Sequence, residues 1–150
     1  MTAFKPRDPD FEARVRDSFA RQTMMSTIGA QIVDLEPGAC TLGMNYRRDL
    51  CQQHGYLHAG VTTTLADSAA GYAAFSLFPA GSSVLTAEFK INLLAPAAGE
   101  RFLARGRVEK SGRTLTVVRS EVFAVDKDGV ERPIALMLAT LMCLADTADA

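Results

Sequence analysis

Between Ala59 and Phe78 the chain reads AGVTTTLADSAAGYAAFSLF, an apolar stretch of mostly small residues that would make about five turns of helix. Ala66, Ala69, Ala70, Gly71, Ala73 and Ala74 keep such a helix thin, while Val61, Leu65, Tyr72 and Phe75 supply bulk. A helix apolar on nearly every side has to be surrounded, and a thin one lets a neighbouring sheet come close. One acid, Asp67, interrupts it. In a bilayer that acid would lie near the centre at a cost of about 2.5–3.5 kcal/mol. The same window to Ala80 also carries three threonines and two serines, so burial in protein is the better expectation.

The flanking sequence supplies the partners. Phe11, Val15 and Phe19 recur four apart from Asp10 to about Gln22, which predicts an amphipathic helix with Asp10 as its candidate cap. Ile28–Leu35 and Ala39–Tyr46 read as two strands hinged at Glu36-Pro37-Gly38, and RRDLCQQHGYLHAG reads as a polar loop running into the apolar helix. After the break at Pro79-Ala80-Gly81, strands are predicted at about Ser83–Leu94, Arg101–Glu109, Thr114–Val125 and Pro133–Leu144. The first of these alternates, with Leu85, Ala87, Phe89, Ile91 and Leu93 on one face and Thr86, Glu88, Lys90 and Asn92 on the other. Short turns between the runs imply antiparallel neighbours. The expected fold is α+β: one domain over residues 1–150, with a curved, largely antiparallel sheet wrapped around a long central helix in the hotdog arrangement. The tail from Ala145 to Ala150 is expected to fray.

Composition narrows the function. A formal net charge of -1 provides no long-range field for nucleic acid or anionic membrane. Cys40, Cys51 and Cys143 lack metal-ligand spacing, and His54 and His58 are the only histidines, which argues against a disulfide framework or a zinc site. A reducing, cytoplasmic setting is expected, with no cofactor. The first residues, MTAFKPRDPDFEARVRDSF, do not resemble an export signal.

The segment Gln52–Asp67, QQHGYLHAGVTTTLAD, resembles the hotdog-fold thioesterases of the phenylacetic acid degradation (PaaI) type. That pattern has an orienting amide, then His-Gly-Gly, then an Asp nine positions after the His. Here Gln52 or Gln53, His58-Ala59-Gly60 and Asp67 correspond, with glutamine for the usual Asn and Ala59 for the first glycine. The pieces TAEFKINLLAPAAGE and VEKSGRTLTVVRSEVF are similar to later strands of the family, so the likeness spans about Ile28 to Leu144. It implies an acyl-CoA thioesterase acting on aryl-acetyl or medium- to long-chain acyl groups, and it gives Thr86 the task of holding water beside the acid.

The residues make the same chemistry reasonable. The first N–H groups of the helix, around Ala59 and Gly60, lack intrahelical acceptors and lie at the positive end of the helix dipole, a natural oxyanion site. Asp67 in apolar surroundings is expected to have a raised pKa and to act as general base, or as a nucleophile forming an anhydride. Eight residues along one helix put these groups about 12 Å apart, so one carbonyl cannot touch both. The expectation is a site shared between two chains of a homodimer, itself paired into a dimer of dimers. Lys90, Lys110 and Arg113 are candidate contacts for the coenzyme A phosphates, and Tyr72, Phe75 and Leu57 are candidates for the acyl pocket. Competing readings are a solvated Asp67, a helix-capping rather than proton-transferring His58, a Cys51–His54 nucleophile, a hydratase site and a non-catalytic acyl-CoA-binding module.

Overall fold

The computed structural model describes residues 4–147. Within them the order is α1 (Phe11–Arg21), α2 (Thr23–Ile28), β1 (Gln31–Glu36), β2 (Ala39–Asn45), a 3₁₀ turn at Arg48–Leu50, α3 (Ala59–Phe75), β3 (Ser83–Leu93), β4 (Arg101–Ser111), β5 (Leu115–Val125) and β6 (Glu131–Leu144). The strands form one six-stranded sheet in the order β1-β2-β4-β5-β6-β3. Every neighbouring pair is antiparallel. Helix α3 packs across this sheet, which gives the α+β hotdog arrangement expected from the thin apolar helix.

Leu65, Ala66, Ala69, Ala70 and Ala73 are all fully buried and form the side of α3 turned to the sheet. Small side chains let the two backbones nearly touch, most closely at Gly106 on β4. A Cβ there would stand 2.3 Å from the Ala69 carbonyl oxygen, a distance that only glycine avoids. The C-terminal end of α3 is clasped from α1. Arg14 donates from Nη2 to the carbonyl oxygens of Phe75 (3.3 Å) and Phe78 (2.8 Å), with its guanidinium 4.2 Å from the centre of the Phe75 ring. That arginine is held in turn by Asp8 at 2.8 Å, so a cation meets the carbonyl end of the helix dipole and the turn that follows it.

Several expectations need correction. Ile28 does not open a strand; it ends α2, where Gly29 at φ 72 turns the chain and Ala30 N–H bonds back to the Met25 carbonyl at 2.9 Å. Asp10 makes no side-chain cap on α1. Asp8 Oδ1 accepts from Asp10 N–H at 3.0 Å in the turn that precedes the helix. The long helix stops at Phe75 rather than running to Phe78. The polar loop is more ordered than its composition suggests, with the 3₁₀ turn and a β-bridge between Cys51 and Leu57. Of the tail, Ala145–Thr147 are exposed, and residues 148–150 lie outside the described residues.

The most consequential correction is in β3. Its register against β6 shifts between Thr86 and Glu88, so that Thr86 pairs with Leu141 while Phe89 pairs with Ala139. Both partners are buried on the α3 side of the sheet. Thr86 therefore shares the inner face with Phe89, Ile91 and Leu93, and Leu85 moves to the outer face with Glu88 and Lys90. A bulge of one residue reverses the alternation on either side of it. As the last strand of the sheet, β3 also has one unpaired edge. Among the described residues no helix is long and apolar enough to cross a membrane.

Candidate active site

Asp67 lies on α3 beside the edge strand β3, half-buried rather than enclosed. Its Oδ1 accepts a 2.8 Å hydrogen bond from Thr86 Oγ1. Burial raises the Asp67 pKa above the ordinary carboxylate value, and the Thr86 hydroxyl, which bonds the charged form, opposes part of that rise. The acid faces a cavity of about 210 Å³ whose walls include Ser68, Gly71, Tyr72, Leu85 and Thr86. Gln22, from the joint between α1 and α2, lines it as well, with Ser18 and Val84. Gln22 Nε2 donates to Tyr72 Oη at 3.1 Å, and Gln22 Oε1 accepts from Ser68 Oγ at 3.2 Å.

The N-terminus of α3 is built by His58. Its backbone is extended (φ -61, ψ 138), its Nδ1 accepts from Gly60 N–H at 2.8 Å, and its carbonyl accepts from Val61 and Thr62. The ring thus caps the helix, and Nδ1 must be unprotonated to do so. Gly60 N–H is consumed by this contact, so of the two donors expected here only Ala59 N–H is left without a partner among the described residues. Ala59 is exposed and opens on a second cavity, about 420 Å³, lined also by Gln52, Tyr56, Leu57, Thr62 and Leu93.

Gln52 and Gln53 are now distinguishable in position. Gln52 lines the Ala59 cavity and accepts from the His54 backbone N–H, whereas Gln53 is exposed and lines neither cavity. The three expected acyl-pocket residues do not share a pocket. Leu57 lines the Ala59 cavity, Tyr72 the Asp67 cavity, and Phe75 is fully buried in the core. None of Lys90, Lys110 and Arg113 lines either cavity. Lys90 points from the outer face and donates to Asn92 Oδ1 at 3.3 Å, while Gly112 N–H is used within the turn before Arg113, bonding the Leu115 carbonyl at 2.9 Å. Cys51 Sγ bonds the Arg47 carbonyl at 3.3 Å, and no hydrogen bond joins it to His54 among the described residues. No group of three or more metal-ligating side chains occurs among them.

Gln22, Ser68 and Gly71 were not among the residues expected at the site. Ser68 and Gly71 share the Asp67 side of the helix and are visible in hindsight from spacing. Gln22 has no local signal, because its bond to Ser68 spans 46 positions of sequence.

Ala59 at the start of α3 and Asp67 two turns on therefore sit apart, each beside its own cavity. Comparison with known proteins gives this arrangement a context. Residues 54–131 match the model of the thioesterase superfamily. A candidate esterase of Saccharolobus solfataricus is 30% identical over 135 residues, covering 90% of this chain and 87% of the relative. Among solved structures, a thioesterase family protein from Silicibacter pomeroyi is 56% identical with a TM-score of 0.88, covering 90% of this chain and 98% of the other. The PaaI protein from the phenylacetic acid degradation operon of E. coli shares the fold, with a TM-score of 0.82 at 20% identity, covering 95% of this chain and 99% of the other.

Proposed function

This chain belongs to the thioesterase superfamily, and from that premise we propose that it hydrolyses an acyl-CoA thioester to the free acid and coenzyme A at a site shared between two copies of the chain. Asp67 acts as general base toward water, or attacks the thioester carbon itself; Thr86 orients it. Ala59 N–H of the other copy stabilises the oxyanion, His58 fixes that N–H by capping the helix, and Gln52 lies beside it.

The observation that carries this reading is how the half-sites relate to the free edge of β3. Leu93 and Leu94, at one end of β3, line the Ala59 cavity. Leu85 and Thr86, at the other end, line the Asp67 cavity. A second β3 laid antiparallel along the free edge, with a two-fold axis near Phe89 and Lys90, would bring the Ala59 cavity of each copy onto the Asp67 cavity of the other. The strand is suited to such pairing. Phe89 and Leu93 are 42% and 57% exposed although they lie on the inner face, and an unpaired apolar edge is a hazard unless something covers it. Further pairing of such dimers into a dimer of dimers belongs to the same proposal.

The acyl group is proposed to be aryl-acetyl or a medium- to long-chain acyl, the first in keeping with the fold shared with the protein of the phenylacetic acid degradation operon. A thiol-release assay over a panel of acyl-CoAs, with wild type and Asp67→Asn, tests the proposal. We expect turnover by wild type and a loss of about a hundred-fold or more in the variant. Wild-type turnover by Asp67→Asn would contradict the role of the acid. Tight binding without turnover by wild type would contradict hydrolysis itself.

A further inference from the structure

Gly71 stands inside α3, where glycine is the least favourable residue after proline. Nothing in the fold asks for it. Its φ lies outside the left-handed region, and a Cβ placed there would meet no atom within 4 Å. Gly106 is the contrast, required because a Cβ there would stand 2.3 Å from the helix backbone. The open space beside Gly71 is the cavity of about 210 Å³ that Asp67 faces from one helical turn earlier. The Gln22 side chain also lines that cavity, pinned by its bonds to Tyr72 and Ser68.

We infer that this cavity receives the acyl end of the substrate, that Gly71 keeps it open, and that Gln22 closes it, so that acyl groups of about one ring are accepted and long chains are not. The inference rests on the thioesterase reading above. The cavity, at about 210 Å³, is somewhat larger than the cavity of about 150 Å³ that takes benzene. Part of its wall is an amide and two hydroxyls joined by hydrogen bonds, and a hydrocarbon tail threaded past them would have to break that network and leave polar groups unpaired. Gly71 and Gln22 thereby set substrate size.

The test measures kcat/KM for straight-chain acyl-CoAs from acetyl to palmitoyl, and for phenylacetyl-CoA, with wild type, Gly71→Ala, Gly71→Leu and Gln22→Ala. Wild type is expected to favour the ring-sized substrates. Both Gly71 variants should lose activity in order of acyl size, by about ten-fold or more for the ring, as one misfit methylene in a pocket does. Gly71→Ala should also melt about 2–4 °C higher, since alanine suits the helix better, which separates the loss from misfolding. Gln22→Ala should move the optimum to longer chains. A loss uniform across the series would overturn the inference, because the cavity would then serve the coenzyme A arm or a partner surface. So would a wild-type preference for palmitoyl. If wild type hydrolyses no thioester at all, the thioesterase reading falls and takes this inference with it.

Discussion

Thr86 Oγ1 and Asp67 Oδ1 are joined at 2.8 Å, a hydrogen bond that ties the edge strand β3 to the central helix across nineteen positions of sequence. It exists because β3 bulges between Thr86 and Glu88. In an unbroken alternation Thr86 would lie on the face opposite Phe89, away from α3. Because the hydroxyl bonds the charged carboxylate, its removal should raise the Asp67 pKa further. Thr86→Val is therefore expected to shift the acidic limb of the pH profile of kcat/KM to higher pH, and Thr86→Ser to hold it in place. An acidic limb that stays where it was in Thr86→Val would show that the bond does not tune the acid.

Asp67 also has a consequence for stability. Burial raises its pKa above the value in the unfolded chain, so the folded state holds the proton more tightly. The stability from this group is full below the unfolded pKa and is lost as pH rises through the raised folded value. Asp67→Asn escapes that loss, and its Oδ1 still accepts from Thr86. The variant should melt higher than wild type at neutral pH, with the gap narrowing as pH falls into the ordinary carboxylate range. Equal melting temperatures at neutral pH would contradict the partly desolvated acid.

Ala59 is the first residue of α3, its N–H has no partner among the described residues, and His58 before it already has the extended backbone that a following proline needs. Ala59→Pro thus deletes one donor at the helix position most tolerant of proline. Thermal unfolding should be little changed, while kcat should fall by about 10²–10³. Full activity in a folded Ala59→Pro protein would remove Ala59 from the mechanism.

Gly106→Ala tests the close approach of sheet to the helix that carries both Ala59 and Asp67. The added methyl would stand 2.3 Å from the Ala69 carbonyl oxygen, which is helix backbone and cannot rotate away. Denaturant unfolding should report a loss of about 1–3 kcal/mol or more, the usual result of overpacking. A neutral substitution would mean that α3 can lift off β4 without penalty.

The fold was legible because its strongest determinants are periodic and local. The run of small residues around Ala66–Ala74 demanded a closely approaching sheet, and the turns at Pro79-Ala80-Gly81 and Asp126–Gly129 marked where strands begin and end. Features that depend on cross-strand register or long-range contact were not legible. The bulge in β3 leaves no mark in the alternation of Leu85, Ala87 and Phe89, which reads as one clean face. Ile28 looks like the start of a strand because an apolar residue beside a strand-like run carries no sign of the Gly29 turn that claims it for α2. At the candidate site, Asp67 and Ala59 stood out through the likeness of Gln52–Asp67 to a thioesterase pattern, and helix geometry gave their separation. That Gly60 N–H is spent on the His58 ring, and that Gln22 reaches the Asp67 cavity, follow only from the packed structure.

The claim that one chain supplies Asp67 and another supplies Ala59 is tested most directly by mixing two inactive variants. Asp67→Asn keeps a working Ala59 N–H, and Ala59→Pro keeps a working Asp67. Co-expressed and randomly paired, half of the dimers would contain one of each, and each mixed dimer would rebuild one of its two sites. The account predicts recovery to about a quarter of wild-type thiol release. A site contained within one chain would leave every chain defective, and activity that stayed at the level of the single variants would contradict the account.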